Sequence, residues 1–196
     1  MPTIETGVGN CHLYVEKTAD LEMALDILEN GKVQRPSVCN SLETLLVDEE
    51  IAINFLTKAH QRIGKQVKFY GCDKVATILD CDKATDEHFE TEFLDYTLAI
   101  KIVKNVNEAI SHISNYSSGH SECIVTNDLE VSNKFSLNVD AACVYINVST
   151  RFTDGGEFGL GAEMGISTQK MHVRGPVGLE HLVSYKYIIS GDGQIR

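Results

Sequence analysis

Short apolar runs alternate along this chain with stretches whose apolar residues recur every three or four positions, and that alternation admits few architectures besides α/β. CHLYV, from Cys11, is followed by a helical stretch in which Leu21, Leu25 and Leu28 share one face, with Asp20 placed to cap its start and Gly31 to end it. A strand around ETLLV comes next, then a helix from about Glu49 with Ile51, Phe55, Ala59 and Ile63 in line and Asp48 as its N-cap. VKFYG, LAIKIV, ECIV and ACVYINV read as further strands, and Val106, Ile110 and Ile113 mark a helix capped by Asn105 or Asn107. Because parallel neighbours need crossover connections, the expected fold is a mostly parallel sheet covered by helices. SYKYIIS, near the end, reads as a strand apart from that core.

With 196 residues, 43% of them hydrophobic, the chain can bury one sizeable core or two small ones. It contains no run of about 18 apolar residues, and MPTIETGVGN has neither a basic n-region nor an apolar h-region, so neither membrane insertion nor secretion is expected. Six cysteines without CxxC spacing are then expected to be free thiols in the reducing cytoplasm, which also leaves the sequons at Asn115 and Asn147 without meaning. The net charge of -11 argues against binding nucleic acid. Acidic and basic residues balance from Thr150 onward, however, so a small anionic substrate still has a suitable region.

The Gly-rich loop from Gly155 to Gly165 has the wrong register, and too great a distance from the preceding strand, for a dinucleotide fingerprint, and reads as tight loop geometry. The seven histidines show neither HExxH nor paired Cys/His spacing, so no metal is expected, while a Cys-His dyad through His120 or His172 stays open. Of the cysteines, Cys39 is the best placed to react: Arg35 lies four residues before it, Pro36 restricts the approach, and Asn40 follows in a polar turn. The plainer alternative is a buried free cysteine.

The segment KVQRPSVCNSLETLLVDEEIA resembles the catalytic-cysteine region of the gamma-glutamyl phosphate reductase (glutamate-5-semialdehyde dehydrogenase) family, a branch of the aldehyde dehydrogenase superfamily. ETGVGNCHLYV, EFLDYTLAIKIV, GHSECIVTND, the long STRFTDG to RGPVGLE run and SYKYIISGDGQIR resemble the same family in the same order. The resemblance implies an aldehyde-dehydrogenase-like catalytic domain that reduces L-glutamyl 5-phosphate to glutamate 5-semialdehyde with NADPH, in proline biosynthesis, through a thioester on Cys39. It implies Glu92 as the acid that meets the nicotinamide ribose. Glu5, 34 residues before Cys39, has the separation of the hydrolytic members' base but reads as a surface or hinge residue, because a reductase needs no deacylating water.

The substrate's charged head calls for an arginine fork and hydroxyls. Arg151 with Asn147, Ser149 and Thr150, beyond the end of ACVYINV, is the leading set, and Arg35 and Asn40 are the other candidates. The family chain is about twice as long, which implies residues 1–10 as a remnant of a cofactor-binding domain, 11–175 as the catalytic domain and 176–196 as an oligomerisation segment. The partners implied are the small-molecule substrate, further copies of the chain and a separate N-terminal cofactor-binding half, with no nucleic acid and no membrane. The competing reading is a noncatalytic assembly module of the same fold.

Overall fold

The computed structural model describes residues 3–196, so the first two residues of the expected 1–10 segment lie outside the described residues. In chain order the elements are β1 (Cys11–Val15), α1 (Leu21–Val33), β2 (Leu42–Asp48), α2 (Ala52–Ile63), β3 (Lys68–Gly71), α3 (Asp73–Ala76), β4 (Asp82–Lys83) and α4 (Asp86–Glu90). They continue with β5 (Thr97–Val103), α5 (Val106–Tyr116), β6 (Ser121–Val125), α6 (Leu129–Asn138), β7 (Cys143–Ile146), β8 (Ile166–Ser167) and β9 (Gly175–Pro176). Seven strands form one sheet in the order β4-β3-β5-β2-β1-β6-β7. All its pairings are parallel, while β8 and β9 form a separate antiparallel pair.

Every residue of β1, β2 and β6 is buried, as a parallel sheet covered on both faces requires. The pleat sends Leu13, Leu45 and Val47 toward α1 and α2, where Leu25, Leu28, Phe55 and Leu56 complete one core. Tyr14, Leu46 and Ile124 point the other way and meet Val106, Ala109 and Ile113 of α5 and Phe135 of α6.

The local caps behave unevenly. Asp20 accepts hydrogen bonds from the Glu22 and Met23 amides, and Asn105 from those of Asn107 and Glu108, as their positions suggested. Gly31 does not end its helix, which runs on to Val33: a Cβ there would come within 2.5 Å of the Leu42 side chain, so the glycine lets α1 lie against β2. Asp48 does not cap α2. It ends β2, accepts the Glu50 amide and the Tyr14 hydroxyl, and leaves the helix to start at Ala52 after Ile51. In the Gly-rich loop, Gly159, Gly161 and Gly165 all have positive φ, the tight geometry expected of it. SYKYIIS, expected as a strand, has no regular secondary structure and pairs with no strand among the described residues; its residues are exposed.

Candidate active site

Cys39 stands in the turn between α1 and β2, half-buried, with its backbone held from both sides. On one side the Asn40 amide donates to the carbonyls of Thr153 at 2.9 Å and Arg151 at 3.4 Å, and the Thr150 hydroxyl donates to the Asn40 carbonyl at 2.8 Å. On the other, the segment entering β1 passes so close that a Cβ on Gly9 would lie 1.8 Å from the Cys39 carbonyl oxygen. The Cys11 thiol donates to that same oxygen at 3.2 Å. Gly9 is itself tied down, its amide donating to Glu92 Oε1 at 2.7 Å.

Beneath the turn runs a buried polar chain. Cys11 Sγ is 3.6 Å from His120 Nδ1, which is 2.8 Å from the Ser121 hydroxyl; that hydroxyl is 2.6 Å from Thr153 Oγ1, which also meets the Tyr145 hydroxyl at 2.8 Å. Burial lowers the His120 pKa to about 4, so the imidazole is neutral. His120 therefore addresses Cys11 and not Cys39, while His172 is exposed beside the His181 carbonyl, 3.3 Å away. All six cysteines are free thiols.

Cys11, Ser121 and Leu42 are the first residues of β1, β6 and β2, so the candidate site lies at the amino ends of the strands. In an open α/β sheet ligands are expected beyond the carboxyl ends. The reason for the difference is the chain after β7, which turns back: Asn147 still pairs with Thr126 at the carboxyl end of β6, whereas Thr153 has reached Ser121 at its amino end.

That turn-back separates the expected substrate residues. Asn147 has a φ of 57° and spends its side chain on the Thr126 amide and carbonyl. Buried Ser149 caps the turn by accepting the Arg151 amide, and Thr150 is fully buried on Asn40. Arg151 is different. Its Nε donates to Gln34 Oε1 at 3.3 Å, yet its buried Nη1 has no hydrogen-bond partner among the described residues. Burial and then the nearby Arg35 disfavour its charge, while Asp154 favours it, and the balance lowers its pKa. Arg35 is exposed, and neither arginine takes part in an ion pair among the described residues.

The Cys39 thiol is pushed up, chiefly by burial and then by the charges of Glu163 and Glu92, with Arg151 pulling the other way. In this chain the cationic side is thus too weak to favour the thiolate. Glu92 is half-buried and Glu5 exposed. Among the described residues no group of three His, Cys, Asp or Glu is arranged to hold a metal, and no helix is long and apolar enough to cross a membrane.

No family model matches the chain. Gamma-glutamyl phosphate reductase of Alkaliphilus metalliredigens is 55% identical over 196 residues, covering 100% of this chain and 47% of that protein. The crystal structure of gamma-glutamyl phosphate reductase from Thermotoga maritima superposes with a TM-score of 0.95 at 51% identity, over 100% of this chain and 48% of that one. By sequence the chain belongs to the gamma-glutamyl phosphate reductase family.

It spans about half the length of the family members it matches. An acetylating aldehyde dehydrogenase from Geobacillus thermoglucosidasius, 18% identical, shares the fold with a TM-score of 0.70 over 98% of this chain and 54% of its own. The likeness to gamma-glutamyl phosphate reductases carried by RPSVCNSLETLLV and STRFTDG thus has its counterpart in space, since these segments meet through Asn40, Thr150 and Thr153. Sequence reasoning missed Gly9, Cys11 and Glu163, and it missed the buried pair Lys32–Glu43, whose Nζ and Oε2 are 2.6 Å apart. All of them lie inside segments of the resemblance, Gly9 and Cys11 in ETGVGNCHLYV, Lys32 and Glu43 in KVQRPSVCNSLETLLVDEEIA and Glu163 in the STRFTDG to RGPVGLE run, but no spacing in the sequence shows which of them meet.

Proposed function

We propose that this chain is the C-terminal, catalytic half of a gamma-glutamyl phosphate reductase, which reduces L-glutamyl 5-phosphate to L-glutamate 5-semialdehyde in cytoplasmic proline biosynthesis. What supports the reading is half-buried Cys39, in a turn fixed on both sides, with Arg151, which has no ion-pair partner among the described residues, on the segment that holds that turn. The Cys39 thiolate attacks the acyl carbon, a C–S bond forms, the C–O bond to phosphorus breaks and phosphate departs. Reduction of the thioester then releases the aldehyde and returns the sulfur as thiolate. Fixing the Cys39 backbone presents its own amide toward the developing oxyanion.

Arg151, with Arg35 at the rim, takes the substrate α-carboxylate; Asn40, Ser149 and Thr150 hold the turn that presents Arg151, and Asn147 secures the start of the return path. NADPH supplies the hydride when bound. The residue of this chain that suits it is Glu92: one carboxylate oxygen accepts Gly9, while Oε2 has no hydrogen-bond partner among the described residues and matches a ribose hydroxyl. Residues 1–10 read as the end of the cofactor-binding domain, 11–175 as the catalytic domain and 176–196 as the segment that pairs with another copy through SYKYIIS. Because orientation of hydride donor and thioester is worth several orders of magnitude in rate, the isolated half turns over very little.

The test adds a separately produced N-terminal half and follows NADPH formation from glutamate semialdehyde and phosphate. The expected signal depends on phosphate and vanishes in Cys39→Ser. A folded pair with no phosphate-dependent signal would establish the alternative, a noncatalytic assembly module.

A further inference from the structure

Leu94, between α4 and β5, has a φ of 53°, in the left-handed region that a residue with a Cβ keeps only when its surroundings hold it there. Its own side chain does little of the holding, being 43% exposed. The hold comes from Glu43 of β2, whose Oε1 accepts the Leu94 amide at 3.2 Å while Oε2 meets Lys32 Nζ of α1 at 2.6 Å. Both side chains are fully buried, so the lysine fixes one oxygen and the other is presented in a set direction. Two residues before Leu94 stands Glu92, whose Oε1 accepts the Gly9 amide at 2.7 Å, and Gly9 lies against the Cys39 carbonyl. Glu43 itself follows Cys39 by four residues. The contacts close a ring, from the Cys39 turn along β2 to Glu43, across to Leu94, back along the chain to Glu92, and through Gly9 onto Cys39 again.

We infer that Glu43 is a positioning residue, which holds the strained Leu94 backbone and thereby sets where the Glu92 carboxylate meets Gly9 and the Cys39 turn. The inference rests on the proposed function only in that Cys39 is the nucleophile whose backbone is being set. Phe93, between Glu92 and Leu94, stacks on Tyr70 of β3 with ring centroids 6.3 Å apart and is the pivot of the segment. Without the Glu43 acceptor, Leu94 relaxes to negative φ and Glu92 swings about that pivot, away from the Gly9 amide. A buried acid–lysine pair adds little net stability over apolar residues of the same size, so what this pair contributes is one particular backbone conformation at the site.

Hydrogen exchange of the backbone amides, followed by NMR on the chain alone, tests this without requiring turnover. Two double variants remove both buried charges: Lys32→Met/Glu43→Gln keeps a side-chain oxygen for the Leu94 amide, and Lys32→Met/Glu43→Leu does not. Exchange at Gly9 is read against Leu45 and Val47 of β2 in the same sample, so a loss of overall stability, which all three feel, cancels. Gly9 is expected to exchange about tenfold faster in the leucine variant, the effect of losing one charge-assisted hydrogen bond, and within about twofold of wild type in the glutamine variant. Unaltered Gly9 exchange in the leucine variant, or equal acceleration in both, would overturn the assignment, and the leucine variant alone decides if the glutamine variant does not fold. Phosphate-dependent turnover by the reconstituted pair alongside an overturning result leaves the Cys39 chemistry standing. The expected Gly9 response without turnover leaves the positioning standing, so the two readings fail separately.

Discussion

Replacing Lys32 by methionine isolates the most exposed energetic weakness of the fold. Lys32 and Glu43 are both fully buried, 2.6 Å apart, and among the described residues the only other hydrogen bond to the carboxylate is the Leu94 amide at 3.2 Å. Removing the lysine leaves a buried carboxyl that must either stay charged beside one amide or take up a proton at a pH where the unfolded chain would not, a change that costs about 3–5 kcal/mol. At roughly 2–4 °C per kcal/mol for a chain of this size, Tm falls by about 6–20 °C near neutral pH.

The deficit depends on pH. Burial already raises the Glu43 pKa to about 7 even though Lys32 pulls it down, so losing the lysine raises it further. A carboxyl whose folded pKa exceeds its unfolded value of about 4.3 is a burden that grows as pH rises between the two values and fades as pH falls toward the lower one. The Tm gap between wild type and Lys32→Met, followed by circular dichroism, is therefore expected to be large at pH 8 and much smaller at pH 5. In the double variant with Glu43→Leu both charges are gone, and most of the loss is recovered. A gap under 2 °C at pH 8, or one that is the same at both pH values, would refute the reasoning.

Two further outcomes concern the proposed nucleophile, Cys39. Gly9→Ala drives a methyl into the Cys39 carbonyl, and overpacking against backbone costs about 1–3 kcal/mol or more, so Tm is expected to fall by several degrees and an unchanged Tm rules out the close approach. Because the Cys39 thiol is pushed up by burial and then by Glu163, its alkylation mapped by mass spectrometry is expected to be slow at neutral pH and to rise with pH past the ordinary thiol range. Glu163→Gln lowers that thiol and speeds labelling at pH 8 by roughly two- to fivefold, whereas slower labelling would contradict the assigned electrostatics.

What sequence revealed was local. Asp20 and Asn105 announce helix starts because a cap acts on amides two and three residues on, and the buried strands announce themselves as apolar runs. Gly31 misled because its purpose is Leu42, a packing contact with another element. Helix α6 passed unnoticed because only Ser132 and Phe135 of its ten residues are buried, too few to print a period. Lys32 and Glu43 carry no local mark of burial, since nothing in spacing tells that eleven residues later the chain folds one onto the other. That the Cys39 turn resembles a known segment was legible along the chain; that it is held by Thr150 and Thr153 at the amino ends of the strands was not, because this depends on the return path after β7.

The contact between Gly9 and the Cys39 carbonyl has no side chain to act as a cushion. Glu92 holds the same glycine through its amide, so the lead-in to β1 is pinned where it meets the Cys39 turn. A displacement of Gly9 toward that turn would press directly on the backbone that carries the Cys39 sulfur.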